Sequence, residues 1–194
     1  MSINKTKLAM TGALVAGVAA LTGVGSLALF TDSQDVGANA FAAGTVNIST
    51  NVTSDLVSFS DMMPGDVVTD SIVVSNGLND ESYRYAISSV ATDDASHLKD
   101  KLVMTVKTID VATPNTPCND FDGTSLYTGD LDSSAGLIVG SAATGSQDGD
   151  RTLAQNTSET LCFRVSLPIG ADNAYQGATT SATFSFAAEQ TKNN

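Results

Sequence analysis

The feature that most restricts the fold is an alternation of apolar and polar residues with a period of two. In the segment 160–167, every second side chain is large and apolar: Leu161, Phe163, Val165 and Leu167. Because successive side chains of a β-strand point to opposite faces of the sheet, this pattern predicts a strand with one buried face. Segments 101–106 and 182–188 alternate in the same way, through Leu102, Met104 and Val106 and through Ala182, Phe184, Phe186 and Ala188.

Other parts of the chain extend this pattern. Residues 41–49, 67–75 and 83–91 are rich in β-forming residues, and clusters of Gly, Asn, Asp and Pro separate them. No segment after the first 30 residues has a clear helical period, although residues 93–101 favour one short helical turn. We therefore predict an all-β fold with two packed antiparallel sheets.

The first 30 residues have a different character. Two lysines precede an uncharged stretch, 8–30, which is rich in Leu, Ala, Val and Gly and has small residues before a cleavage point after Ala28. This order is typical of a secretory signal peptide. We predict that residues 1–28 are the signal peptide and that 29–194 form a single domain. The uncharged stretch is also just long enough to span a bilayer, so an uncleaved membrane anchor is the alternative.

Charge and cysteine content narrow the class of protein. The chain carries 21 acidic residues against nine Lys and Arg, and its formal net charge is −12. Without a basic patch, it lacks the electrostatic footprint of a nucleic-acid-binding protein, so we expect no nucleic-acid partner. Its two cysteines, Cys118 and Cys162, form an even set in an exported chain, which favours a disulfide between them.

Residues 112–158 interrupt the strand pattern. They contain two prolines, several glycines and many aspartates, with one apolar run at 136–140. We predict an elaborated loop region that carries one short strand and Cys118. Because Cys162 falls on the polar face of its strand, the disulfide would hold this loop against the outside of a sheet.

Catalytic motifs are absent from the sequence. Neither the zincin pattern His-Glu-x-x-His nor the hydrolase elbow Gly-x-Ser-x-Gly occurs, and His97 is the single histidine. One histidine and two bridged cysteines do not supply the ligands of a zinc centre. We predict no catalytic residue, no metal site and no cofactor. Aspartate pairs such as Asp148 and Asp150 leave calcium binding open as an alternative.

Three segments of the sequence occur in a characteristic order. The first is Ala-Leu-Phe-Thr-Asp-Ser at 28–33 followed by Asn-Ala-Phe-Ala-Ala-Gly-Thr-Val-Asn-Ile at 39–48. The second, 63–77, contains a Pro-Gly-Asp turn before a strand that ends in Asn-Gly, and the third is Asn-Ala-Tyr-Gln-Gly-Ala at 173–178 with the strand 182–190. Together they resemble the TasA/camelysin family of exported proteins, whose leaders are typically processed by a SipW-type signal peptidase.

The resemblance identifies two sets of turn residues in this chain. They are Pro64, Gly65 and Asp66 in the first turn and Asn173, Tyr175, Gln176 and Gly177 in the second. It covers the leader, the chain to about residue 91 and residues 160–190, but not the middle region. It implies a jelly-roll-like β-sandwich that is secreted to the extracellular matrix or cell surface.

The resemblance also implies a function. TasA-like members are subunits of biofilm-matrix fibres, in which the N-terminal arm of one subunit completes a sheet of the next by donor-strand exchange. The expected partners are other copies of the chain, a minor anchoring or nucleating subunit, and signal peptidase during export. The camelysin branch carries a metallopeptidase label, so an extracellular protease is one alternative. A calcium- or sugar-binding adhesin on the same sandwich is another.

The segment from residue 29 to about 42 is the predicted donor arm. Its spaced apolar residues are Leu29, Phe30, Val36 and Phe41. In an extended strand Phe30 and Val36 share a face, whereas Phe41 joins that face only after a bend or bulge. The alternative is that this segment is simply the first strand of its own sandwich.

Overall fold

The computed structural model describes residues 31–36, 48–51, 62–77, 81–109, 116–133 and 136–192. They form ten strands: β1 Thr31–Val36, β2 Ile48–Thr50, β3 Val67–Asn76, β4 Tyr83–Ala91, β5 Val103–Lys107, β6 Ser125–Asp130, β7 Leu137–Val139, β8 Arg151–Leu153, β9 Ser158–Ser166 and β10 Ala182–Gln190. Two short 3-10 turns lie at Leu98–Asp100 and Asn173–Tyr175. Across these ranges no helix has the length and apolar character needed to cross a bilayer.

The strands form two antiparallel sheets. The first sheet has the order β1-β10-β4-β7, and β8 also pairs with β4. The second sheet has the order β2-β3-β9-β5-β6. One continuous core with residues from both sheets lies between them. The prediction of an all-β, jelly-roll-like antiparallel sandwich is therefore confirmed.

The core contains the apolar faces that the alternation predicted. Solvent does not reach the side chains of Leu161, Phe163 and Val165 in β9 or of Met104 and Val106 in β5. In β10 the inward-facing residues Phe184, Phe186 and Ala188 are buried, and Ala182 is partly buried. The rings of Phe163 and Phe184 meet edge to face with their centroids 5.2 Å apart, which joins the second sheet to the first.

Two tyrosines of β4 also connect the sheets. The Tyr83 hydroxyl donates to the backbone oxygen of Ser75, 2.9 Å away, and the Tyr85 hydroxyl donates to the Glu159 carboxylate. Arg151 Nη2 lies 2.6 Å from the other carboxylate oxygen of Glu159. Burial, reinforced by the Glu159 charge, raises the pKa of Tyr85 well above its ordinary value. The phenol therefore stays protonated and keeps donating throughout the neutral range.

The middle region differs from its prediction. It contains three strands, β6, β7 and β8, instead of the single short strand expected within 112–158. β6 continues the second sheet beyond β5, whereas β7 and β8 are three residues long and pair with β4. A Cβ at Gly123 would lie 1.9 Å from the Thr108 backbone oxygen, so only glycine permits the approach that begins the β5–β6 pairing. β7 lies in the apolar run at 136–140, whereas β8, with three residues, has no alternation to detect.

The same region also covers the outside of the first sheet. Gly145 donates its backbone N–H to Glu189 Oε1 at 2.9 Å, and that oxygen also pairs with Arg84 Nη1 at 2.9 Å. Both charged side chains are only 10% exposed although they face away from the core. The loop therefore supplies a hydrogen bond to an ion pair that it shields from water.

Candidate functional site

The first family turn closes against the end of β9. Gly65 has a φ of +96°, which favours glycine, and its N–H donates to the Leu167 oxygen at 2.8 Å. Asp66 Oδ2 accepts from the Met63 N–H at 2.8 Å, and the Asp66 oxygen accepts from the Leu167 N–H at 3.0 Å. These bonds give the turn at Pro64 a fixed position beside the strand end.

The second family turn follows the same strand. Its 3-10 turn, Asn173–Tyr175, begins after Asp172, whose Oδ1 accepts from the Ala174 N–H at 2.9 Å. Tyr175 packs against the main core, and Lys101 Nζ lies 6.0 Å from its ring centroid. Gly177, with a φ of +73°, turns the chain back toward β10.

The two turns, more than 100 residues apart in sequence, meet in one cavity of about 360 Å³. Its lining is Met62, Met63, Pro64, Leu167, Asp172, Asn173, Tyr175, Gln176 and Gly177. The sequence identified both turns but gave no sign that they meet, because β3 and β9 pair over a long chain separation. The lining combines apolar side chains with the amide and carboxylate groups of Asn173, Gln176 and Asp172, a mixture suited to binding a protein segment or a small ligand.

Asp94 fixes the loop that joins this cavity to β10. Its Oδ2 accepts from the Thr179 N–H at 2.9 Å, while Oδ1 accepts from the N–H groups of Ser96 and Leu98 at 3.0 and 3.2 Å. Partial loss of water opposes ionisation, but hydrogen bonds from backbone N–H groups outweigh it and lower the pKa of Asp94. The start of β10 is thereby tied to the segment after β4.

The predicted donor arm lies partly within the described structure. Val36 is the last residue of β1, whereas Leu29, Phe30 and Phe41 lie outside the described residues. β1 occupies an edge of the first sheet and pairs with β10 from Thr31 opposite Glu189 to Val36 opposite Phe184. Within one chain the arm is therefore folded back as a strand of its own sheet.

The two cysteines form the expected disulfide. Cys118 and Cys162 have Cα atoms 5.4 Å apart, and both side chains are buried beneath the loop on the outer face of β9. Phe121 packs beside them, with Arg164 Cζ 3.7 Å and Lys107 Nζ 4.9 Å from its ring centroid. This cation–π cluster was not predicted from the sequence, in which its one visible signal is a phenylalanine three residues after a cysteine.

A family model described as camelysin metallo-endopeptidase matches residues 3–194. The chain belongs to the camelysin family. The match extends through the middle region, which the three sequence motifs did not cover. No curated protein sequence matches the chain.

The chain also matches solved structures at low sequence identity. The "Crystal structure of infectious bursal disease virus VP2 subviral particle" matches with 18% identity and a TM-score of 0.37, over 79% of this chain and 34% of that chain. The "Structure of infectious bursal disease virus Gx strain" matches with 17% identity and a TM-score of 0.35, over 79% and 34%. This camelysin-family chain spans about a third of the length of those viral chains. Similarity at this level says nothing about activity.

The family description implies a metal ion, and the described residues do not fit one. In the part of the chain that the structure describes, no three His, Cys, Asp or Glu side chains come together as a ligand set. His97 Nδ1 lies 2.9 Å from Asp93 Oδ2 on the surface, and both cysteines are in the disulfide. Asp150, a calcium candidate in the sequence, instead accepts from the N–H groups of Ser141 and Gln147 at 2.9 and 2.8 Å.

Proposed function

We propose that this camelysin-family protein is a secreted structural subunit of extracellular or cell-surface fibres. Its subunits are joined by donor-strand exchange, in which β1 of one copy pairs with β10 of the next. The observation that supports this most is the place of β1. Among the described strands it comes first in the sequence and lies at a sheet edge, where its hydrogen-bonded neighbour is β10.

An edge strand that precedes the other described strands suits exchange. The six residue pairs between β1 and β10 are equally available to β1 of a second copy, so exchange conserves the hydrogen bonds of the sheet. A subunit whose β1 pairs with another copy has an unpaired β10 edge. The β1 of a further copy can pair with that edge, which produces a linear series of subunits. Residues 37–47 separate β1 from β2 and form the covalent link between the exchanged strand and its own subunit.

A peptidase is the other function that the family description suggests. A zinc peptidase requires about three protein ligands around an open coordination position. His97 is the single histidine of the chain, so no second imidazole is present to bind zinc. Among the described residues, its one ion pair is with Asp93. The structural role therefore has the stronger physical support.

Deleting residues 29–36 from the mature protein separates assembly from folding. We expect the truncated protein to remain a folded monomer, because β10 keeps β4 as its other neighbour and the core keeps both sheets. Circular dichroism and size-exclusion chromatography report folding, and negative-stain electron microscopy reports filaments.

A matched control replaces residues 29–36 by a Gly/Ser segment of equal length, which keeps the chain length but removes the strand-forming residues. Filaments should be lost in both variants and kept by the unaltered mature chain. If the truncated protein unfolds, or polymerises normally, donor-strand exchange through β1 is wrong.

A further inference from the structure

Exposed apolar side chains gather at one end of the sandwich. Among the described residues, Met63, Val67 and Ile169 are exposed by 67, 53 and 87%. They surround the Pro64–Gly65 turn: a Cβ at Gly65 would lie 4.0 Å from Ile169 Cγ1, and Val67 pairs with Ser166 at the end of β9. We call Met63, Val67, Ile169 and the adjoining cavity the apolar end. Isolated exposed apolar residues are ordinary, but a cluster beside a cavity indicates a protein contact.

The chain leaves β1 at this same end. Val36, the last residue of β1, lies opposite Phe184, two residues after the start of β10 at Ala182. Gly177, which lines the cavity, comes only five residues before that start. β1 therefore ends at the end of the sandwich that carries the exposed apolar residues.

The next described strand, β2, begins at the other end of the sandwich. β2 begins at Ile48, which pairs with Asn76, the last residue of β3. Because β3 begins at Val67, the two ends of β3 mark the two ends of the sandwich. When β1 is exchanged, residues 37–47 must span from the apolar end of the acceptor to Ile48 of the donor, a distance of about 40 Å at most.

We propose that the apolar end is the docking surface for the body of the donor subunit, the second copy whose β1 completes the acceptor's sheet. This inference rests on the proposed exchange. The end of the donor that carries Ile48 and Asn76 packs on Met63 and Ile169 of the acceptor. Successive subunits therefore stack head to tail through a heterologous contact that does not close on itself.

This second contact gives exchange a direction and a driving force. The β1–β10 bonds are the same within a chain and between chains, so they alone do not favour the polymer over the folded-back monomer. Burial of Met63, Val67 and Ile169 occurs only between copies and adds apolar area removed from water. The cavity lining also supplies polar side chains, those of Asp172, Asn173 and Gln176, beside the exposed apolar residues.

The test uses the mature full-length chain with Ile169→Asp and, separately, Met63→Asp. An aspartate on the apolar end places a charge in the contact, and we expect the concentration needed for filament assembly to rise about tenfold or more. Val90→Asp is the matched control. Val90 is 68% exposed and pairs with Thr183 near the same end of the sandwich, but it lies on the outer face of β4 and outside the cluster around Gly65. Light scattering and electron microscopy measure assembly, and thermal unfolding checks that every variant is folded.

The outcomes separate this inference from the proposed function. Loss of assembly in Ile169→Asp and Met63→Asp, with assembly of Val90→Asp within about twofold of the unaltered chain, supports the apolar end. Normal assembly of the two apolar-end variants, while deletion of residues 29–36 abolishes filaments, overturns the inference and leaves exchange intact. Equal loss in Val90→Asp also overturns it. Filaments that survive the deletion overturn both.

Discussion

Replacing Cys118 and Cys162 together by alanine should lower the free energy of unfolding by about 4 kcal/mol. The bridge joins residues 44 apart, and the loop-closure entropy that it removes from the unfolded chain has this magnitude. The segment around Cys118 also has few other apolar anchors, since its cluster consists of Phe121, Cys162 and partly buried Ile109.

Chemical denaturation of the oxidised protein and of the double variant measures this difference. The single variants Cys118→Ala and Cys162→Ala serve as controls and should lose nearly as much as the double variant, because either one breaks the bridge. Limited proteolysis of the double variant should cut first within residues 116–123. A loss below about 1 kcal/mol would mean that the loop holds itself in place without the disulfide.

Phe163→Ala should destabilise the protein by about 3–5 kcal/mol. The side chain is fully buried in β9, and its ring contacts Phe184 of the other sheet. The truncation therefore opens a cavity where the two sheets meet and also removes an edge-to-face aromatic contact worth about 0.5–1.5 kcal/mol.

Phe163→Leu is the control that keeps most of the apolar volume, and it should lose less than half as much stability. A double-mutant cycle with Phe184→Ala isolates the ring contact from the cavity, because residues in direct contact do not contribute additively. If Phe163→Ala unfolds at the same denaturant concentration as the unaltered protein, the sheets do not pack through this pair.

The apolar–polar alternation of the sequence predicted those strands that show it within their own residues. The alternation in β5, β9 and β10 places Met104, Phe163 and Phe186 in the core as expected. β7 lies within the apolar run at 136–140, where the one short strand was expected, whereas β6 and β8 were not predicted. Their pairing with β5 and β4 depends on residues outside each strand. A pattern read from one segment contains no information about such a partner.

The candidate site also has features that the sequence predicts and features that depend on the folded structure. The residue types of the two turns, such as Gly65 and Gly177 at positive φ, are local requirements and are visible in the sequence. Their meeting in one cavity follows from the packing of β3, β9 and β10, which the sequence does not display. The exposure of Ile169 is likewise a property of the folded surface, since the same side chain would be buried in a different arrangement of strands.

The most direct test of donor-strand exchange is a cross-link between β1 and β10. Asp35 lies opposite Ser185 in their register, and facing residues of antiparallel strands are close enough for a disulfide. Asp35→Cys and Ser185→Cys are made in separate chains, which are unfolded together, refolded, assembled and oxidised. Exchange predicts a cross-linked pair of chains on a non-reducing gel. If the two single variants never join, while a chain carrying both cysteines closes only on itself, β1 stays in its own subunit and the account is contradicted.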